Sequence, residues 1–349
     1  MRTVSCAKTT VLTAVAVAAS LAVAPGAAAS PRTGSLGLPA YSDLVVDEAH
    51  HHVFVSGGGT SNGVVVTDFH GRVRKTIDRQ YGASGLVLSG DGRTLYVALA
   101  SGDAISAIDT TTLAETARYP TGSQTCPAHL ARTGTLVWFG YGCEQSWNGG
   151  IGRLDTTATP PTVAIDQQGA NVHFRHAPLV AAQSGDTGPL VAGQAELSQS
   201  AVYVYAVTAG KLDARASGAV AGSDLADLTL SPDGKTIYTA SGSREAMEAF
   251  NSADLTRAGA YRTGQYPDSV AASPDGRYVA GGVRNPRDDV YVYKVGGVTP
   301  LSTLDVTDAG VLASRGLAWT ADGERLFAIT RPANGAEPTL RVLEYPADR

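Results

Sequence analysis

The chain has 349 residues, with 27 basic and 32 acidic side chains and a formal net charge of −5. This mild acidity, without any run of basic residues, argues against nucleic acid as a partner. Forty glycines and 14 tyrosines, together with many valines, favour an all-β protein. Beyond residue 29 no stretch is long and apolar enough to cross a bilayer, so we predict no membrane span.

The N-terminus has the three parts of a secretory signal peptide. Arg2 and Lys8 give a basic start, residues 11–24 form an apolar core, and residues 27–29 are small alanines. Cys6 precedes the apolar core, whereas the cysteine of a lipoprotein would follow it. We therefore expect removal of residues 1–29, with cleavage after Ala29, and a secreted or extracytoplasmic mature protein without a lipid anchor.

The rest of the chain reads as a short orphan segment, residues 33–38, followed by seven similar units. Each unit has an apolar strand, a tight turn, a second strand and a third strand, and six of the seven add a shorter polar fourth strand. The unit at residues 266–295 shows the pattern best, with a Ser-Pro-Asp-Gly turn before an alternating strand, DVYVYKV. The turns lie near His50, Gly92, Gly134, Gly185, Gly234, Gly276 and Gly323.

Four antiparallel strands repeated at roughly 40–50 residues are typical of β-propeller blades. We therefore predict an all-β, seven-bladed β-propeller of four-stranded antiparallel blades in one domain, residues 30–349. The seventh unit ends at Tyr345 without a fourth strand. Because an open ring would leave strand edges exposed, we expect residues 33–38 to supply the outer strand of blade seven and close the ring.

Three segments of the chain resemble YVTN-type repeats, the repeats of the YncE-like secreted propellers: SPDGKTIYTA at 231–240, SPDGRYVAGG at 273–282 and SGDGRTLYVA at 89–98. Residues 104–122 are similar to the second half of that repeat. The resemblance covers the mature chain, strongly in blades two, five and six and loosely in blades three and four. It implies a propeller outside the cytoplasm. The family is functionally mixed, mostly binding and interaction proteins, and implies no catalytic motif.

No motif in the sequence indicates a catalytic site or a cofactor. The Asp of the Asp-Gly turns could be a metal ligand, but an Asp that caps a turn beside a Gly with positive φ explains these pairs more simply. The three histidines at 50–52 fall in the first turn, which we interpret as solvated rather than metal-binding. The chain has no nucleophile elbow, Walker loop or dinucleotide-binding motif. We predict no cofactor, no bound metal and no catalytic residue.

Cys126 and Cys143 are the two cysteines that remain after the signal peptide. In an antiparallel hairpin that turns near Gly134 they lie opposite each other on neighbouring strands, an arrangement that a disulfide can bridge. An exported protein meets an oxidising environment, which favours the bond. The sequence therefore predicts a Cys126–Cys143 disulfide rather than two free thiols.

These two cysteines also locate one rim of the ring, where inner strands begin and second strands end. Loops on a rigid scaffold commonly carry function. We expect a protein or glycan ligand to bind a monomeric protein here, through Trp147, Phe174, Arg175, His176, His129, Asp268 and Arg315. For any one of these residues a variable solvated loop is the alternative, and Trp147 could instead fold back over the edge of blade three.

Two other functions are consistent with the sequence. One is an enzyme of the propeller lactonase or metal-dependent hydrolase type, with His129, His176 and Asp268 near the channel. The other is a structural spacer beside further surface domains. Stoichiometric bound metal together with esterase or lactonase turnover would favour the enzyme. We interpret the chain as a secreted interaction module.

Overall fold

The structure is a computed structural model that describes residues 1–3, 32–143, 147–183, 185–285, 287–306, 310–332 and 337–348. The strands form seven four-stranded antiparallel sheets, and each inner strand contacts the inner strand of the next sheet in a closed cycle. The predicted seven-bladed propeller is thus confirmed. No helix among the described residues is long and apolar enough to span a membrane. Most of the predicted signal peptide, residues 4–29, lies outside the described ranges.

The first three blades follow one another directly along the chain. Blade one contains β2 (Asp43–Asp47), β3 (His52–Ser56), β4 (Gly63–Asp68) and β5 (Val73–Asp78). Blade two contains β6 (Ala83–Leu88), β7 (Thr94–Leu99), β8 (Ala104–Asp109) and β9 (Ala114–Pro120). Blade three contains β10 (His129–Thr133), β11 (Leu136–Tyr141), β12 (Gly150–Asp155) and β13 (Thr162–Ala164).

The next three blades repeat this order. Blade four contains β14 (Leu179–Ala182), β15 (Pro189–Gly193), β16 (Val202–Thr208) and β17 (Lys211–Gly218). Blade five contains β18 (Leu225–Leu230), β19 (Thr236–Ser241), β20 (Ala246–Asn251) and β21 (Arg257–Arg262). Blade six contains β22 (Pro267–Ala272), β23 (Tyr278–Val283), β24 (Val290–Lys294) and β25 (Ser302–Leu304).

The hydrophobic core lies between the blades rather than at the centre of the ring. Side chains alternate along a strand, so successive residues of β3 contact different neighbours. Val53 and Val55 pack in one cluster with Phe327 of blade seven, whereas Phe54 packs in another with Leu95 of blade two. The second strand of each blade is therefore buried on both faces, and this burial explains why its sequence is almost entirely apolar.

The hydrogen bonds of the Asp-Gly turns confirm that the aspartate caps the turn. In the turn between β6 and β7, Ser89 Oγ donates to Asp91 Oδ1 at 2.6 Å, and Arg93 N donates to the same oxygen at 3.1 Å. Gly92 has a φ of 71°, which a residue without a Cβ adopts at little cost. The carboxylate thus satisfies backbone and side-chain donors of its own turn.

Blade seven contains β26 (Gly310–Trp319), β27 (Arg325–Pro332) and β28 (Thr339–Glu344), and its outer strand is β1 (Arg32–Ser35). The register of β1 on β28 pairs Gly34 with Leu340 and Ser35 with Thr339. The predicted closure by the N-terminal segment is confirmed, although the strand ends at Ser35 rather than at residue 38.

After β1 the chain leaves the sheet and enters the seam between blades seven and one. Leu36 and Leu38 are 2% and 3% exposed, and they join the apolar cluster that contains Val53, Phe327 and Leu340. A short 3₁₀-helix, Pro346–Asp348, follows β28. The N-terminal segment therefore closes the ring twice, by strand pairing and by filling the seam.

Deletion of residues 33–38 from the chain that begins at Ser30 should lower the melting temperature sharply. The deletion removes the outer strand of blade seven, and loss of a buried leucine alone typically costs about 2–5 kcal/mol. Differential scanning calorimetry measures the shift. Leu301→Ala serves as control, because Leu301 is an exposed leucine whose truncation should cost only about 0.5 kcal/mol. An unchanged melting curve in the deletion would contradict the role of the seam.

Candidate functional site

The rim where inner strands begin carries two separate groups of the predicted site residues. One group surrounds the mouth of the central channel, a cavity of about 500 Å³ lined by the inner strands. The other group lies further out, around Trp147, where loops of blades three and four meet. The two groups have different chemistry.

Arg315 spans the channel mouth. It lies in the irregular part of β26, between Leu312 and Leu317, and has a φ of 57°. Its Nη1 donates to His129 Nδ1 of blade three, and its Nη2 donates to the Ser42 carbonyl of blade one. Tyr41 Oη donates to the Arg315 carbonyl at 2.7 Å. Arg315 therefore ties blades seven, one and three together across the opening.

The contact with Arg315 defines the protonation state of His129. A guanidinium only donates hydrogen bonds, so Nδ1 of His129 must be the acceptor and the ring must be neutral with its proton on Nε2. Burial lowers the pKa of His129 well below its usual value, and the nearby Arg315 and His176 lower the pKa further. His129 is thus a neutral hydrogen-bond acceptor for Arg315.

Two carboxylates of the channel wall were missed by the sequence reasoning. Asp43 Oδ2 accepts from Leu86 N at 2.9 Å, and Asp227 Oδ2 accepts from Val270 N at 2.8 Å. Asp43 is the first residue of β2 and Asp227 is the third residue of β18. Each carboxylate accepts a backbone hydrogen bond from the inner strand of the next blade. Their signal in the sequence is an Asp directly before an apolar run. Burial raises the pKa of Asp227 to about 7, although Val270 N and the charge of Arg315 partly oppose the shift.

Asp268 belongs to a different contact, between blades six and seven. Its Oδ2 accepts from Arg284 Nε at 2.6 Å and from Ser314 Oγ at 3.2 Å. Burial raises the pKa of Asp268, and the bond from Arg284 opposes this shift. Asp268 is nearly fully buried, and its carboxylate joins blade six to blade seven at the rim.

The three residues considered for an enzyme are therefore not brought together as a metal site. His129 binds Arg315, Asp268 binds Arg284, and His176 Nδ1 lies 3.3 Å from the Ala177 carbonyl. Within the described ranges, no three His, Cys, Asp or Glu side chains cluster closely enough to hold a metal ion.

The predicted disulfide between Cys126 and Cys143 is present, with 5.2 Å between the Cα atoms. Asp103 of blade two binds the backbone beside this disulfide. Its Oδ1 accepts from Cys126 N at 2.9 Å, and its Oδ2 accepts from Gln124 N at 2.8 Å. The segment before β10 and the loop after β11 are thus fixed to each other, and the former is also bound to blade two.

Trp147 lies in the loop between β11 and β12, and its side chain is 58% exposed. Its backbone N donates to the Arg175 carbonyl at 2.8 Å, and Gly149 forms an antiparallel bridge with Phe174. The loop of blade three is therefore paired with the loop that leads into blade four. Trp147 has a φ of 53°, a left-handed conformation that is rare for bulky residues.

Trp147 forms one side of a cleft of about 480 Å³. Buried Tyr141 lies among the cleft's lining residues, and its Oη donates to Asp166 Oδ1 at 2.6 Å. Gln168, also buried, accepts from Ile151 N through Oε1 at 2.8 Å. The other lining residues are Ser123, Gln124, Thr125, Asn148, Gly149, Ile165, Gly169, Ala170, Val172 and His173.

The predicted exposed patch of Trp147, Phe174 and Arg175 needs a correction. Phe174 is fully buried, and its ring packs edge-on against Tyr203 at 5.3 Å. Arg175 is half-buried and takes part through its backbone, because its N donates to Gln194 Oε1 at 3.0 Å and its carbonyl holds Trp147. The sequence could not show that a bridge to Gly149 turns Phe174 inward. His173, which is exposed, lines the cleft instead.

Comparisons with known proteins bear on the fold. No protein-family model and no curated protein matches the chain. Many chains of solved structures do match. One of them, from the crystal structure of a mitotic checkpoint complex, has a TM-score of 0.69 and 16% identity over 96% of this chain and 98% of that chain. At this identity the likeness supports the seven-bladed propeller fold alone.

Asp227→Asn should stabilise the protein in a pH-dependent way. The folded state holds the Asp227 proton up to about pH 7, whereas the unfolded state releases it near the ordinary value of 3.8. The stability of the wild type therefore falls as pH rises through this window, and the neutral amide avoids the loss while it still accepts from Val270 N. The variant should melt several degrees above the wild type at about pH 8 and close to it at about pH 4.

Asp213→Asn is the control for this measurement, because it removes one carboxylate from the exposed surface of the protein. A difference for Asp227→Asn that stays constant between these two pH values would contradict the assignment.

Proposed function

We propose that this chain is an exported interaction module that binds a protein or glycan ligand in the rim cleft around Trp147. A propeller fold is consistent with a protein-interaction module. The observation that carries the proposal is that Trp147 is a large aromatic side chain that is mostly exposed and stands on left-handed backbone. A bulky residue in such a conformation costs on the order of 1–3 kcal/mol. Neither core packing nor backbone preference accounts for tryptophan at this position.

The surroundings of Trp147 support a binding role because they hold it in place. The disulfide Cys126–Cys143, the bond to the Arg175 carbonyl and the bridge at Gly149 fix the loop at several points. A backbone that is ordered before binding loses little further entropy when the ligand arrives. Tryptophan in such a setting is a frequent energetic anchor of interfaces.

Family membership and export belong to the same proposal. The YVTN-type repeat pattern in blades two, five and six supports a place among the YncE-like secreted propellers. The signal-like residues 1–29 and a disulfide beside the binding loop both suit an oxidising compartment.

The enzyme alternative has weaker support from the channel geometry. A hydrolase would need free donor or acceptor atoms that converge on one point. His129 Nδ1 instead accepts from Arg315, and Asp268 accepts from Arg284 and Ser314. These contacts connect blades and leave the rim cleft as the better candidate.

Trp147→Ala should weaken binding by about tenfold or more, since truncation of an interface tryptophan removes its whole contact area. The measurement is a binding screen on an array of glycans and extracellular proteins, followed by titration of the ligand found. Because Trp147 is exposed, the melting temperature should change by less than about 2 °C.

Tyr266→Ala is a matched control. Tyr266 is also 58% exposed and has a φ of 57°, but it lies at the start of blade six, outside the cleft. Its truncation should leave binding unchanged. A ligand that binds Trp147→Ala as well as wild type, or a screen without any ligand, would overturn the proposal.

Export is tested by the mass of the protein collected outside the cytoplasm. It should begin at Ser30, because the small residues 27–29 precede that position. A retained N-terminus or an attached lipid would contradict the assignment.

A further inference from the structure

We propose that the ligand of the Trp147 cleft is a neutral saccharide. This inference rests on the proposed function of the rim and specifies the ligand class. It follows from three properties of the described part of the cleft: the kinds of polar groups on its walls, the exposed indole of Trp147, and a lining without arginine or lysine.

The polar groups of the cleft suit hydroxyl groups, which both donate and accept hydrogen bonds. Ser123, Gln124, Asp166 and His173 are exposed on the cleft wall. A hydroxyl, an amide and an imidazole each offer donor and acceptor atoms, and a carboxylate adds acceptors. A ligand rich in hydroxyl groups can be satisfied by such a wall, whereas an apolar ligand would leave these groups without partners.

The indole of Trp147 complements the apolar face of a sugar ring, which carries C–H groups rather than hydroxyl groups. The C–H groups on one side of a pyranose ring carry partial positive charge, and the face of an aromatic ring is negative. The exposed indole, on a backbone held by the Arg175 carbonyl, therefore offers a face on which a sugar ring can stack. Tyr141 and Gln168, buried at the cleft and held by Asp166 and Ile151 N, give the wall a fixed shape.

The charge of the cleft selects against anionic saccharides. Neither arginine nor lysine is among the described residues that line it. Asp166 contributes a carboxylate, and its Oδ1 accepts from Tyr141. A uronate or sulfate group would meet this carboxylate without a cation to compensate it.

A protein ligand fits the same surface less well. A stable protein interface needs about 800 Å² from each partner and an apolar core. Among the described residues that line the cleft, Trp147 and Ile165 are the exposed large apolar side chains. A cleft of about 480 Å³ instead lies in the size range of small-ligand sites.

Tryptophan fluorescence can report on the cleft selectively. The chain has three tryptophans, and Trp138 and Trp319 are buried. A change of intensity or wavelength on titration therefore reports chiefly on Trp147. The probes are neutral oligomers of glucose, of mannose and of N-acetylglucosamine, with an oligomer of galacturonic acid as the charged counterpart.

At least one neutral oligomer should bind with a dissociation constant of about 1 mM or lower, and galacturonic acid oligomers should bind more weakly. Isothermal titration calorimetry gives the affinities of the variants. Trp147→Ala should weaken binding about tenfold or more, Trp147→Tyr should restore most of it because a flat aromatic face returns, and His173→Ala should weaken it a few-fold. Tyr266→Ala should bind like the wild type.

The inference fails if no neutral oligomer binds, if the charged oligomer binds more tightly, or if Trp147→Ala binds as well as the wild type. These failures are distinguishable from failure of the proposed function. A protein ligand from the array that is lost in Trp147→Ala, without any saccharide binding, overturns the saccharide inference and keeps the binding site. Absence of both kinds of ligand overturns both.

Discussion

The structure depends on the closure of the ring between β1 and β28. The inner and middle strands of each blade are buried only because another blade covers each face, so an open ring would expose two apolar faces at once. The N-terminal segment prevents this by pairing with β28 and by placing Leu36 and Leu38 in the seam. Gly34 is required there, because a Cβ at that position would collide with the Gly71 carbonyl of blade one. The two ends of the chain are therefore held in one blade, and the other six blades keep fixed positions relative to each other.

Polar contacts at the channel mouth add a second level of connection. Asp43, Asp227 and Asp268 each sit near the start of an inner strand and accept hydrogen bonds from the following blade or the neighbouring loop. Arg315 reaches across the opening to His129. Asp268, Arg315 and His129, which the sequence analysis placed in the site, thus all take part in contacts between blades. The cleft around Trp147 lies outside this network, and the side chain of Trp147 is exposed there.

Local patterns explain how much of the fold was predictable. Each blade is encoded by alternation and by turns whose Ser, Asp and Gly satisfy one another within a few residues, and the closing segment followed from counting strands. The site was less predictable. Arg315 and His129 are 186 residues apart, and only the curvature of the ring brings them together. Phe174 is buried by a bridge between two loops, which no local pattern signals. Trp147 was identified because an aromatic among Gly, Asn and Ser has no apolar neighbour in sequence.

The disulfide makes the fixation of the loop that carries Trp147 depend on the redox state of the compartment. The bond between Cys126 and Cys143 joins the segment before β10 to the loop that carries Trp147. In a reducing compartment the sulfurs separate, and the loop is left with its backbone bonds to the residues before blade four. The ring itself does not need this bond, since its blades are joined by strand pairing and apolar seams. The bond therefore bears on the rim loop rather than on the ring: the propeller can be complete before the loop that carries Trp147 is tied to the segment before β10.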